Sequence, residues 1–117
     1  MSDQLRPPGK TTIAPEVLIQ IAKLSTLGVP GVSRLATVAP EVNRLFRPGA
    51  TEGVKISVEN NQVYADLYVI LQRDVNVRDV SRLIQNQVAR AIVEMVGMEI
   101  GKVNVHVEDI DYSEPAA

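Results

Sequence analysis

Apolar residues recur in two rhythms along this chain. In APEVLIQIAKLSTLG, residues 14–28, Val17, Ile21, Leu24 and Gly28 fall at helical spacing, with Leu18 and Ser25 widening the stripe and Glu16, Gln20 and Lys23 on the polar side. Pro15 suits the first helical position, Glu16 the positive end and Gly28 a left-handed stop, so the pattern predicts an amphipathic helix of about thirteen residues. A second helix is predicted to begin at Asn76, with Asp79 three positions on as a capping pair, and to end near Met95 or Val96 before Gly97. Its apolar stripe is Val80, Leu83, Ile84, Val88, Ala91, Ile92 and Met95, and it spans roughly 28 Å.

The other rhythm is alternation. VKISVE, then Asn60-Asn61, then QVYADLYVIL reads as a β-hairpin with a two-residue turn. That turn sets Val58 against Val63, Ile56 against Ala65 and Val54 against Leu67 on one face, and Ser57 against Tyr64 and Lys55 against Asp66 on the other. KVNVHVEDI after the second helix predicts a further strand with Val103, Val105 and Val107 inward, reached by a crossover and therefore parallel to its neighbour. Val32 to Val38 predicts a short irregular strand after the Pro30-Gly31 turn. The fold class that results is α+β: a two-layer sandwich in which two helices cover one face of a small mixed sheet. Residues 1–11 read as a flexible N-terminal arm, 12–110 as one domain containing a long loop at 37–53, and 111–117 as an acidic C-terminal tail.

Composition narrows the chemistry. With no Cys and a single His among 117 residues, thiol nucleophiles, disulfides and clustered histidine or cysteine metal sites are excluded, and no cofactor is expected. No window reaches the roughly 18 apolar residues of a membrane span, so direct membrane insertion is not expected and a cytoplasmic location is. The net charge of −2 is unevenly placed: residues 108–117 hold Glu108, Asp109, Asp111 and Glu114 without a basic residue. The rest is close to neutral, which disfavours electrostatic capture of nucleic acid.

Three groups of residues are candidate contact surfaces. The open sheet face would present Tyr64, Tyr68 and His106 among Lys55, Ser57, Glu59, Asp66, Ile70, Lys102, Asn104 and Glu108. An RNA-binding sheet uses the same architecture but needs aromatic motifs and surplus positive charge, which are missing here. Arg78, Arg82 and Arg90 share a polar stripe with Asn86 on the second helix and would suit an acidic partner or a phosphate. In the long loop, Arg44 and Arg47 flank Leu45 and Phe46, an arrangement that fits either core anchoring or an exposed contact. His106 is the one available imidazole, yet no Ser or Cys is placed beside it by the sequence, and GVPGV follows a helix and lacks the Lys-Ser or Lys-Thr of a phosphate loop. No catalytic residue is assigned.

Two blocks, IAPEVLIQIAKLSTLGVPGVSRL and VRDVSRLIQNQVARAIVEMVGMEIGKVNVHVEDID, resemble the alkaline shock protein family, also described as envelope stress response proteins of Gram-positive and related bacteria. The resemblance covers residues 11–112 and is most specific at the helix ending in GVPGV, at Ile84-Gln85 with Val88 to Ala91, and at the alternating valines between Gly97 and Ile110. It implies a small cytosolic protein without enzymatic activity, acting through self-association or a small membrane-anchored relative in the envelope stress response. On that basis the protein would sit in the cytoplasm and reach the membrane only through its partner. The loop from Thr37 to Gly53 departs from the family pattern by its Arg and Pro content.

Overall fold

A computed structural model of the chain describes residues 9, 12–37 and 53–113. The elements run α1 (Pro15–Leu27), β1 (Val32–Leu35), β2 (Val54–Glu59), β3 (Gln62–Gln72), α2 (Val77–Val96) and β4 (Glu99–Asp111). Arg44, Phe46 and Arg47, most of the N-terminal arm and residues 114–117 lie outside the described residues.

β3 is the centre of the sheet. β4 pairs with it in parallel along its whole length, from Gln62↔Glu99 to Gln72↔Asp111. On its other edge β2 pairs antiparallel from Glu59↔Gln62 to Val54↔Leu67, and β1 continues from Leu35↔Val69 to Val32↔Leu71. β1 and β2 therefore run end to end in one lane. The peptide units of Tyr68 mark the join: its carbonyl accepts from the Ala36 amide at 2.8 Å and its amide donates to the Gly53 carbonyl at 2.8 Å. Chain that leaves the sheet after Ala36 thus re-enters it at Gly53, beside the point of departure. Gly53 adopts φ +70°, and a Cβ there would lie 2.8 Å from Leu35 Cβ and from the Tyr68 carbonyl oxygen, so this position requires glycine.

The hairpin has the predicted register in every pair, because Asn60 (φ 52°) and Asn61 (φ 64°) both take the left-handed conformation that a two-residue turn demands. α2 begins where predicted, with the Asp79 amide donating to Asn76 Oδ1 at 3.0 Å, and stops at left-handed Gly97 (φ 78°). Both helices lie on the same side of the sheet, α1 over β1 and β2, α2 over β4, and they pack on each other. The architecture is the mixed two-layer α+β sandwich read from the sequence.

Three details differ. Of the stripe expected for α1, Leu18 and Ile21 are buried but Val17 and Leu24 are not; the helix buries Leu18, Ile19, Ile21, Ala22 and Thr26, and leaves Leu24 66% exposed. Apolar residues nearly encircle this helix, so spacing alone cannot choose the inward side. Ala22 and Thr26, both fully buried, let the helix approach the sheet closely, and the Thr26 hydroxyl donates to the Ala22 carbonyl at 2.7 Å, so its polar atom is not stranded. On α2 the inward row is Val80, Ile84, Val88 and Ile92, while Leu83 and Met95 face solvent. Finally, Gly28 keeps a right-handed φ of −81°; the left-handed residue lies three positions on, at Gly31 (φ 102°), where Val80 Cγ2 approaches within 2.8 Å of a Cβ position.

β4 carries two bulges that set which residues face the open side. Ile100 and Val103 can both turn inward only if one residue is extra, and the register shifts there, between Val63↔Ile100 and Tyr64↔Lys102. The extra residue is Gly101, over which the Tyr64 ring lies so closely that a Cβ would sit 2.5 Å from its Cε2 and Cζ. A second shift, between Val69↔Val107 and Ile70↔Asp109, makes Glu108 the extra residue and aligns Ile110 with inward-facing Leu71. Ile70 is consequently paired with Asp109, where strict alternation would have put Glu108. The strand also runs through Asp111, one residue beyond the 110 boundary expected for the domain.

Candidate functional site

The sheet face away from the helices carries an ordered cluster of side chains. β3 alternates so that Val63, Ala65, Leu67, Val69 and Leu71 are fully buried, and Tyr64, Asp66, Tyr68 and Ile70 stand half-buried on the opposite side. Between the two bulges β4 contributes Lys102, Asn104 and His106, paired in parallel register with Tyr64, Asp66 and Tyr68. Asp66 is the hub. Its Oδ1 accepts from Asn104 Nδ2 at 3.1 Å and lies 3.0 Å from His106 Nε2. The His106 ring in turn stacks on Tyr68, with centroids 4.5 Å apart and planes inclined by 13°.

Burial, and then the Asp66 and Glu108 carboxylates, raise the Tyr68 phenol above its ordinary pKa, so it stays protonated and can donate a hydrogen bond. At one end of the face Tyr64 donates to Gln62 Oε1 at 3.1 Å. At the other, Asp111 binds β1 to β4 across the end of β3: Oδ2 accepts from Ser33 Oγ at 2.6 Å and from Arg34 at 3.1 Å, while Oδ1 accepts from the amide and hydroxyl of Ser113. The Ser113 and Ser33 hydroxyls, the Ser113 amide and Arg34 hold the Asp111 carboxyl far below the usual carboxylate range. A cleft of about 590 Å³ opens near this end, lined by Lys23 and Arg34 as well as Glu108 and Asp109.

The structure thus brings together Tyr64, Tyr68 and His106 on one face. It does not bring them near the arginine stripe, since Arg78, Arg82 and Arg90 lie on α2, which covers the other side of the sheet, and Arg90 pairs with Glu94 at 3.3 Å. Sequence reasoning does not single out Asp66 and Asn104 as the organisers of the cluster, nor does it group Ser33 and Arg34 with Asp111. A parallel register between strands separated by a helix has no turn to announce it. Chemically the cluster offers donors, acceptors and a flat aromatic platform. Among the described residues no group of three or more His, Cys, Asp or Glu is placed to hold a metal ion, and no helix is long and apolar enough to cross a membrane.

The pattern of the alkaline shock protein 23 family, described as having cell envelope-related function, matches residues 4–112 of this chain. Protein Spy1535 of Streptococcus pyogenes is 37% identical over 105 residues, covering 87% of this chain and 79% of its own. Protein YqhY of Bacillus subtilis is 26% identical over 110 residues, covering 92% and 82%, and YloU of the same organism is 22% identical over 120 residues, covering 98% and 100%. Among solved structures, the copper form of MamM CTD superposes with a TM-score of 0.52 at 14% identity, covering 86% of this chain and 91% of that one. MamM-CTD 215-293 does so with a TM-score of 0.52 at 14% identity, covering 82% and 99%. At that identity the likeness is one of fold alone.

Proposed function

Because the chain belongs to the alkaline shock protein 23 family, whose function is cell envelope-related, we propose that it is a non-enzymatic interaction protein supporting the envelope stress response and envelope homeostasis. It acts by contact with another protein, a second copy of itself or a small membrane-anchored relative, and works in the cytoplasm, reaching the membrane through that partner. One observation carries this reading: the side chains of the uncovered sheet face are already fixed by one another, with Asp66 holding Asn104 and His106, and His106 stacked on Tyr68. A surface ordered before binding loses little conformational freedom when a partner covers it. Asp66 and Glu108 beside Tyr68 also place negative charge where a phosphate backbone would have to lie, which suits a protein partner better than a nucleic acid.

Cell fractionation tests this. Wild-type chain at its natural level is expected to be recovered partly with the envelope, and the double variant Asp66→Arg, Tyr68→Ala to move to the soluble fraction while its circular dichroism stays that of the wild type. Equal recovery of a folded variant with the envelope would overturn the reading.

A further inference from the structure

The solvent side of α1 carries a second apolar row. Val17, Gln20, Leu24 and Leu27 follow one another at spacings of three and four, and Ile13, just before the helix, continues the row. All five are exposed, Val17 by 46% and Leu24 by 66%. This alternation of four and three is the seam of a two-helix coiled coil, with one polar residue in the middle. On a helical wheel the seam lies opposite the Leu18, Ala22 and Thr26 side that faces the sheet. Two such helices can therefore meet while each keeps its own core.

The flanking charges say which partner fits. Glu16 and Lys23 both stand immediately before a seam residue, so they share one flank of the row, and neither has an ion-pair partner among the described residues. When the same helix is laid antiparallel on itself about a two-fold axis at Gln20, Ile13 meets Leu27, Val17 meets Leu24 and Gln20 meets Gln20. In that register Glu16 of each copy lies beside Lys23 of the other, twice over. A parallel two-fold pairing would turn the Glu16–Lys23 flanks of the two copies to opposite sides of the interface, so neither charge would meet its opposite. We infer that the outer side of α1 is a self-association surface, on which a second copy of this chain docks antiparallel with Gln20 at the two-fold axis.

The paired Gln20 amides can exchange hydrogen bonds, since each offers both a donor and an acceptor, and a polar residue in a seam fixes its register. The helix is only about 20 Å long, so association is weak and concentration-dependent. The open sheet face of each copy points outward in this dimer and remains free. The inference rests on the reading that the protein acts by contact and supplies the surface for its self-association.

Sedimentation equilibrium from micromolar to millimolar protein should show a monomer–dimer equilibrium that Leu24→Glu weakens at least tenfold; Leu24 is exposed, so the variant is expected to fold. Glu16→Lys and Lys23→Glu should each weaken the dimer several-fold, and the two together should restore it. The chain has no Cys, so Gln20→Cys under mild oxidation should give a disulfide-linked dimer, and Asn86→Cys on α2 should not. A wild type that stays monomeric throughout overturns the inference, as does a dimer indifferent to Leu24→Glu or a charge swap that fails to rescue. Envelope recruitment that survives in a monomeric wild type removes the α1 dimer alone; recruitment indifferent to the sheet-face variant removes the functional reading instead.

Discussion

The two faces of β3 are one residue apart along the chain and obey different rules. Toward the helices, Val63, Ala65, Leu67, Val69 and Leu71 are each fully buried, held by close packing against α1 and α2. Away from them, Tyr64, Asp66 and Tyr68 keep their positions through specific pairings with β4, such as Asp66 with His106 at 3.0 Å. Loss of a buried methyl group is felt by the whole fold, whereas loss of a pairing on the open side is felt by the surface it organises. The sharpest way to break this contrast is to truncate neighbours. Leu67→Ala should cost about 2–5 kcal/mol of unfolding free energy by denaturant titration, and Tyr68→Ala about 1 kcal/mol or less, mostly its stacking on His106. Similar losses for the two would mean that the open face is structural.

Glycines in crowded and in open surroundings differ in the same way. Gly53, wedged against Leu35 and two carbonyl oxygens, should lose roughly 2–3 kcal/mol on substitution by Ala, from the left-handed backbone and from the clash together. Gly97 has the same sign of φ but open space around it, so Gly97→Ala should lose about 1 kcal/mol. Equal midpoint shifts in thermal unfolding would show that Gly53 is needed only for its φ.

How far these features are legible in the sequence follows from the same contrast. The hairpin can be read to the residue because Asn60-Asn61 fixes its register, and α2 can be read because Asn76 and Gly97 bracket a polar–apolar helix. The orientation of α1 cannot, because both of its sides are apolar: the inward row is chosen by the closeness that Ala22 permits, and a tertiary fit leaves no mark in periodicity. The open face is legible through Tyr64, Tyr68 and His106, yet the role of its hub, Asp66, depends on the parallel register of β4. That register turns on bulges at Gly101 and Glu108. The first is signalled faintly by the out-of-phase Ile100 and Val103; the second becomes evident only when Ile110 is seen beside Leu71.

Acid should act at the end of the open face. Asp111 titrates well below the usual range in the folded protein and near about 3.9 when unfolded, so the unfolded chain takes up the proton first as pH falls. Its stabilising contribution is present above the unfolded value and drains away on acidification below it. Unfolding midpoints measured across that window should fall more steeply for wild type than for Asp111→Asn. Parallel curves would mean that Ser33 and Arg34 do not hold the carboxylate in solution.

The smallest effect concerns a single proton on Tyr68. Burial is the leading cause of its raised pKa, Asp66 the next and Glu108 the third, and all three act by disfavouring the phenolate. The folded protein therefore keeps this proton at a pH where the unfolded chain, near about 10, has begun to lose it, and the associated stability is present below that pH and lost as pH rises through the folded value. Asp66→Asn removes a negative charge while leaving a side chain of the same shape for Asn104 and His106, so the phenol should titrate at lower pH in its ultraviolet absorbance. Glu108→Gln should move it less, in the same direction. Neither should bring it fully to its ordinary value, because the desolvation by burial remains. If Asp66→Asn alone returned the phenol to an ordinary titration, charge and not burial would govern the open face, and the surface would have to be regarded as wetter, and less ready to receive a partner, than its geometry indicates.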